Sequence, residues 1–222
     1  IRLSLVGSEM CIRDRFIKNH STSNTNDNNY DESLGGAIHA DNFYWDGGQR
    51  KGLDMIIVNS TFDGNYIKAV TDDKLNVMWG STISYGRWED NLSPSAKTYI
   101  FNSIIRTSKI YTKSSTFSND GNGRGDLIGA GSSQGYKLIT DYNNIVGSSQ
   151  ESWSGDFTYD VEPGFKDTAN GDYSLLDASP MIGLGVATWA DEGLTAPTKD
   201  ILGNTRGSSP DLGAYENSLS AA

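Results

Sequence analysis

One cysteine, two histidines and five prolines are all that the 222 residues carry of these types. A lone cysteine excludes an intrachain disulfide framework and a metal site built on several cysteines. No apolar run nears the ~18 residues that a membrane-spanning helix needs, so no membrane span is expected. Bases are scarce: 18 Lys and Arg against 28 Asp and Glu give a formal charge of −10. A phosphate backbone needs a basic face, which argues against nucleic acid as a partner. Long charged helical runs are missing too. What is present is 25 glycines with abundant Asn, Ser, Thr and Asp, the composition of a β-rich chain with many turns.

The N-terminal residues stand apart. Leu5-Val-Gly-Ser-Glu-Met-Cys-Ile-Arg-Asp14 reads as the in-frame translation of a transposon-end sequencing adapter. Residues 1–15 are therefore expected to be an assembly artefact and are set aside from the fold argument. On that reading the native part begins near Phe16, lacks a thiol, and has its true N-terminus elsewhere. A thiol-free, acidic chain suits an extracellular or cell-surface setting.

Short apolar strands recur, each followed by a small or amide residue. They are Met55-Ile-Ile-Val-Asn59, Leu75-Asn-Val-Met-Trp79-Gly80, Thr98-Tyr-Ile-Phe101-Asn102 and Leu138-Ile-Thr-Asp-Tyr142-Asn143. The anchors at 59, 80, 102 and 143 are separated by 21, 22 and 41 residues. A period in the low twenties predicts one turn of a three-sided parallel solenoid, with three short strands per turn. Asn59, Asn102 and Asn143 are expected to stack as a ladder at one bend. Ile38, Ile57, Val77, Ile100 and Ile139 are expected to face inward.

The C-terminal block adds a second signal. It reads Tyr173-Ser-Leu-Leu-Asp-Ala-Ser-Pro-Met-Ile-Gly-Leu-Gly185, then Asp200-Ile-Leu-Gly-Asn-Thr-Arg206, then Pro210-Asp-Leu-Gly-Ala-Tyr-Glu216. This closely resembles the terminal segment of secreted right-handed parallel β-helix proteins of the pectate-lyase-like superfamily. The resemblance implies an all-β fold: a right-handed parallel β-helix, a single-stranded solenoid, over residues 16–147. An irregular C-terminal cap follows over 148–222. It implies that Asp200, Arg206, Asp211, Tyr215 and Glu216 form a structural cap. Arg206 would pair with Asp200, Asp211 or Glu216, and Leu212 and Tyr215 would pack on the last turn.

Three further groups are candidates for chemistry. Trp45 and Arg50 in one polar loop, with Arg87 and Trp88 in another, suit carbohydrate: aromatic rings stack on sugar faces and polar neighbours take the hydroxyls. Asp120, Asn122 and Asp126 alternate with glycines like the front of a calcium loop. Arg124 stands among them and would repel a cation, which favours a plain glycine-rich loop; Ca²⁺ is the alternative. No motif requires a cofactor. His20 and His39 lack a third ligand or an acid partner and read as turn residues.

The family resemblance includes polysaccharide lyases and glycoside hydrolases. Asp72-Asp73-Lys74, and Arg87 with Glu89 and Asp90, offer suitable residue types but match no lyase motif. The expected function is therefore a secreted or cell-surface binder of a polysaccharide or cell-surface glycan, acting as a monomer. The alternative is a lyase or hydrolase whose active site lies partly in turns beyond this chain.

Overall fold

The computed structural model describes residues 9–22, 33–40, 43–46, 49–68, 78–85, 96–106, 109–111, 116–117, 128–130, 136–146 and 157–219. Among them there is no α-helix, and nearly all regular structure is short β-strand. The first pass of the chain holds β1 (Glu9–Ile12), β2 (Arg15–Ile17), β3 (His20–Thr22), β4 (Ser33–Leu34) and β5 (Ile38–Ala40). A hairpin of β6 (Phe43–Asp46) and β7 (Gln49–Gly52) follows. The second pass holds β8 (Met55–Val58), β9 (Thr61–Asp63), β10 (Tyr66–Lys68), β11 (Met78–Trp79) and β12 (Ile83–Tyr85). The third holds β13 (Ala96–Phe101), β14 (Ile104–Arg106), β15 (Lys109–Tyr111), β16 (Thr116–Phe117) and β17 (Ile128–Ala130). A fourth begins with β18 (Tyr136–Asp141) and β19 (Asn144–Ile145). The C-terminal segment adds β20 (Phe165–Asp167), β21 (Asp172–Leu175), β22 (Thr188–Trp189) and β23 (Leu194–Thr195).

Equivalent strands of successive passes pair in parallel. One sheet runs β1-β8-β13-β18 and a second β2-β9-β14-β19. β3, β10 and β15 form a third, with β16 antiparallel on its edge. β4 pairs β11, and β5-β12-β17 make the fifth. Contacts between equivalent residues span 46, 43 and 40 positions in succession, as for Asn19 with Asn65, Asn59 with Asn102, and Ser103 with Asn143.

The expected spacing of 21–22 is therefore corrected: it is about half a pass. Asn59 and Gly80 are both left-handed corners, with φ of 47° and 62°, but they belong to different corners of the same pass. Three strands per turn become five. The true columns are Arg13-Asn59-Asn102-Tyr142, Lys18-Gly64 and Gly35-Gly80, each with positive φ.

The amide ladder exists in altered form. Asn102 Nδ2 donates to Asn59 Oδ1 at 3.3 Å. Asn143 stands one place along, in a column with Asp14, Ser60 and Ser103. There each N–H donates to the side-chain oxygen one pass later: Asp14 to Ser60 at 3.3 Å, Ser60 to Ser103 at 3.1 Å, Ser103 to Asn143 at 2.8 Å. Asn19 and Asn65 repeat this at the next corner, at 3.0 Å. These bonds satisfy main-chain donors where the strand ladder is interrupted by a bend.

The interior holds Phe16, Ile38, Met55, Ile57, Phe62, Ile83, Ile100, Ile105 and Ile145. Ile38, Ile57 and Ile100 thus face inward as expected; Val77 lies outside the described residues. Ile139 does not face inward. It pairs with Tyr99, which pairs in turn with Ile56, on the other face of the first sheet. There Val58, Tyr99 and Phe101 are covered by Trp189, Ala196, Val186 and Leu194. At its centre the first sheet is therefore covered on both faces, and Met55–Val58 and Tyr99-Ile-Phe101 are apolar runs rather than alternating patterns.

Candidate functional site

The C-terminal segment organises the flank of the sheets. Tyr159 bridges Asn144 in parallel, and Asn144 brackets Val161 with both ends of its amide, at 2.9 and 3.1 Å. The segment thus covers the last edge of the second sheet, as a cap should. It then runs back along the corner columns. Asn102 exchanges side-chain bonds with the backbone of Val186, at 2.8 and 3.0 Å, and Asn59 Nδ2 donates to Asp211 O at 3.0 Å. Gly213 N donates to Asn102 O, and Ala214 N to Thr61 Oγ1. Arg15 of the first pass donates to the Tyr215 hydroxyl at 2.8 Å. The expectation that Leu212 and Tyr215 pack on the last turn is corrected. Leu212 lies with Ile104 in the third pass, and Tyr215 lies with Ile17 in the first.

Asp200, Arg206, Asp211 and Glu216 form one buried network, and Tyr215 stands outside it, packed with Tyr173 and Ala214. Arg206 pairs with Glu216 at 2.8 Å, both side chains almost fully enclosed. Its guanidinium also donates to the carbonyls of Asp211 and Gly213, at 3.2 and 2.9 Å. The two aspartates serve backbone amides instead. Asp200 accepts from Leu202, Asn204 and Glu216 N–H groups, and Asp211 from those of Gly183 and Asn217. Burial pushes the Asp200 carboxyl up, but these donors outweigh it and hold its pKa below the ordinary value. Burial likewise pulls the Arg206 guanidinium down, against the carboxylates around it.

A second polar cluster was not visible in the sequence. Asp63, nearly buried, accepts from Arg106 Nε at 2.9 Å and from the Tyr173 hydroxyl at 3.1 Å. Arg106 reaches on to Glu162 at 2.9 Å and lies over the Phe165 ring. Burial, and then the Asp63 charge, push the Tyr173 phenol up to about 12. Asp63 and Tyr173 are 110 positions apart, and no local pattern links them. This cluster ties the β20–β21 hairpin to the second sheet.

A third group is aromatic. The Tyr142 and Phe157 rings stack at 5.0 Å and 4° between planes, and Trp189 meets Tyr142 edge-on at 6.2 Å. One oxygen of Asp141 accepts both the Tyr142 and Phe157 N–H groups, at 2.9 and 2.8 Å. Phe157 is 51 % exposed.

The remaining sequence candidates are only partly described. Trp45 stands directly opposite Arg50 in the backbone register of the β6–β7 hairpin. Arg87, Trp88, Asp120, Asn122 and Asp126 lie outside the described residues. Among the described residues no group of three His, Cys, Asp or Glu is placed to hold a metal. His20 stacks on Tyr66, whereas His39 meets Ser84 at 2.6 Å in a different sheet, so the two histidines do not share a site. Open clefts of about 440 and 450 Å³ flank exposed Leu202 on the terminal block. The described residues contain no helix long and apolar enough to cross a membrane. No protein-family model, curated protein or solved structure matches this chain.

Proposed function

We propose that the chain is a right-handed parallel β-helix of the pectate-lyase-like kind, secreted or displayed at the cell surface, that binds carbohydrate without a catalytic centre of its own. The stacked parallel sheets support the solenoid reading, since four of the five sheets receive a strand from each of the first three passes, in the same order along the chain. The observation carrying the binding reading is topological. The connection from β5 to β8 holds Trp45 and Arg50, and the connection from β12 to β13 holds Arg87 and Trp88. Both leave the fifth sheet and enter the first, one pass apart. Neighbouring strands in such sheets are spaced by ~4.8 Å, so both connections start and end one strand apart on the same flank. Insertions gathered on one flank of a repeat fold form its usual binding face.

Binding to immobilised neutral and acidic polysaccharides, with and without Ca²⁺, tests this. Trp45→Ala with Trp88→Ala is expected to weaken polysaccharide binding at least tenfold while the melting temperature stays unchanged. Unchanged affinity in the double variant would overturn the loop-face reading. Release of unsaturated or reducing-end products would overturn the non-catalytic one.

A further inference from the structure

The left-handed corner column shows an irregularity. Asn59 and Asn102 occupy it in the second and third passes, with φ of 47° and 52°. Asparagine tolerates this conformation, and both side chains are fully engaged with the C-terminal segment. The first pass has Arg13 there, at φ 61°, and in the fourth pass the residue is Tyr142, at φ 53°. A bulky aromatic side chain is seldom found there, because its Cβ crowds the following carbonyl. Strain of this sort persists where surrounding structure enforces it, and it gathers at binding sites.

The surroundings do enforce it. A single Asp141 oxygen fixes the backbone of both Tyr142 and Phe157. The two rings lie parallel, Trp189 closes one edge, and Phe157 keeps half its surface in solvent. The second Asp141 oxygen takes no part in these bonds. Burial, then Asp141, Asp191 and Tyr159, raise the Tyr142 phenol. We infer that the Tyr142–Phe157 stack is a carbohydrate platform for the apolar face of a neutral hexopyranose in a polysaccharide chain. The exposed Phe157 ring, backed by the stacked Tyr142 ring, suits the axial C–H face of the sugar, and the Asp141 carboxylate bonded to both backbones accepts from its hydroxyls. The same carboxylate repels uronates and sialates. The site lies at the opposite ends of the first sheet's strands from the Trp45 and Trp88 connections, and it stands without them.

The test is calorimetric titration of the full chain with neutral gluco-, galacto- and manno-oligosaccharides, and with an oligogalacturonate. The wild type is expected to bind at least one neutral oligosaccharide and to bind the oligogalacturonate at least tenfold more weakly. Phe157→Ala is expected to reduce that affinity at least tenfold. Tyr142→Asn restores the residue of the neighbouring passes; it is expected to raise the melting temperature and still lose the affinity. Leu202→Ala, exposed on the terminal block, should leave that affinity unchanged, and Trp45→Ala with Trp88→Ala is titrated alongside it. If Phe157→Ala and Tyr142→Asn both bind like wild type, the platform reading is wrong, and loss in the tryptophan variant alone would place the site in the loops. Absence of binding to every neutral oligosaccharide overturns the platform outright. In that case, retained polysaccharide binding that depends on Trp45 and Trp88 would leave the loop-face proposal standing.

Discussion

Arg206→Ala is expected to destabilise the fold by about 3–5 kcal/mol, the cost of breaking a buried ion pair by removing one partner. Glu216 would be left enclosed, with side-chain exposure of 2 %. Two carbonyls, of Asp211 and Gly213, would lose their donors at the same time. For a domain of this size each kcal/mol lowers the melting temperature by roughly 2–4 °C, so a fall of about 6–20 °C is expected in a thermal scan. Replacing both partners, as in Arg206→Met with Glu216→Gln, should cost less than Arg206→Ala alone, because no buried charge remains. Any ligand affinity of the folded fraction should not change, since the Arg206 and Glu216 side chains are closed to solvent. A loss below about 1 kcal/mol, or loss of binding in a protein with wild-type stability, would contradict the structural role.

Gly213→Ala is expected to cost about 2–5 kcal/mol, from left-handed backbone together with overpacking. Gly213 has φ 86°, and a Cβ there would sit 2.8 Å from both Ile104 Cδ1 and Thr61 Oγ1. The backbone cannot retreat, because Gly213 N is bonded to Asn102 O at 2.8 Å and Ala214 N to Thr61 Oγ1 at 2.9 Å. Gly203 is the internal control. Its φ is 91°, yet nothing lies within 4 Å of its Cβ position. Gly203→Ala should therefore cost only the backbone component, about 1–2 kcal/mol. Urea midpoints of the two variants separate the contributions. Equal losses would mean that the terminal block is not pressed against the second and third passes.

These two effects show which parts of the molecule could be read from residues alone. Met55-Ile-Ile-Val58 and Tyr99-Ile-Phe101 were legible as strands, and Ile57 and Ile100 as core. The same runs held a further message: apolar residues at consecutive positions imply a sheet covered on both faces. Ile56, Tyr99 and Ile139 are the outer set, and Trp189 with Val186 provides the cover. The period was misread because Asn59, Gly80 and Asn102 use the same corner chemistry. Left-handed bends select Asn and Gly whichever corner they belong to. Connections of unequal length then shift the return from 46 to 43 to 40 residues.

Within the terminal block, the choice among three carboxylates for Arg206 lay beyond sequence. All three carboxylates accept turn N–H groups, but only Glu216 also reaches the guanidinium, at 2.8 Å. Tyr142 was hidden by its neighbour: Asn143 looked like the ladder residue, whereas the corner is one position earlier. The Asp63–Arg106–Tyr173 cluster had no sequence signal, because its members meet only after stacking and the return of the C-terminal segment.

The central claim is that parallel passes stack with this register and that the C-terminal segment fastens their flank. A crystal structure tests it most directly. The account predicts Met55, Thr98 and Leu138 side by side in one parallel sheet, and residues 211–214 lying along the Asn59–Asn102 corner. An antiparallel meander, a return to each sheet after 21–22 residues, or a terminal block detached from that corner would contradict it.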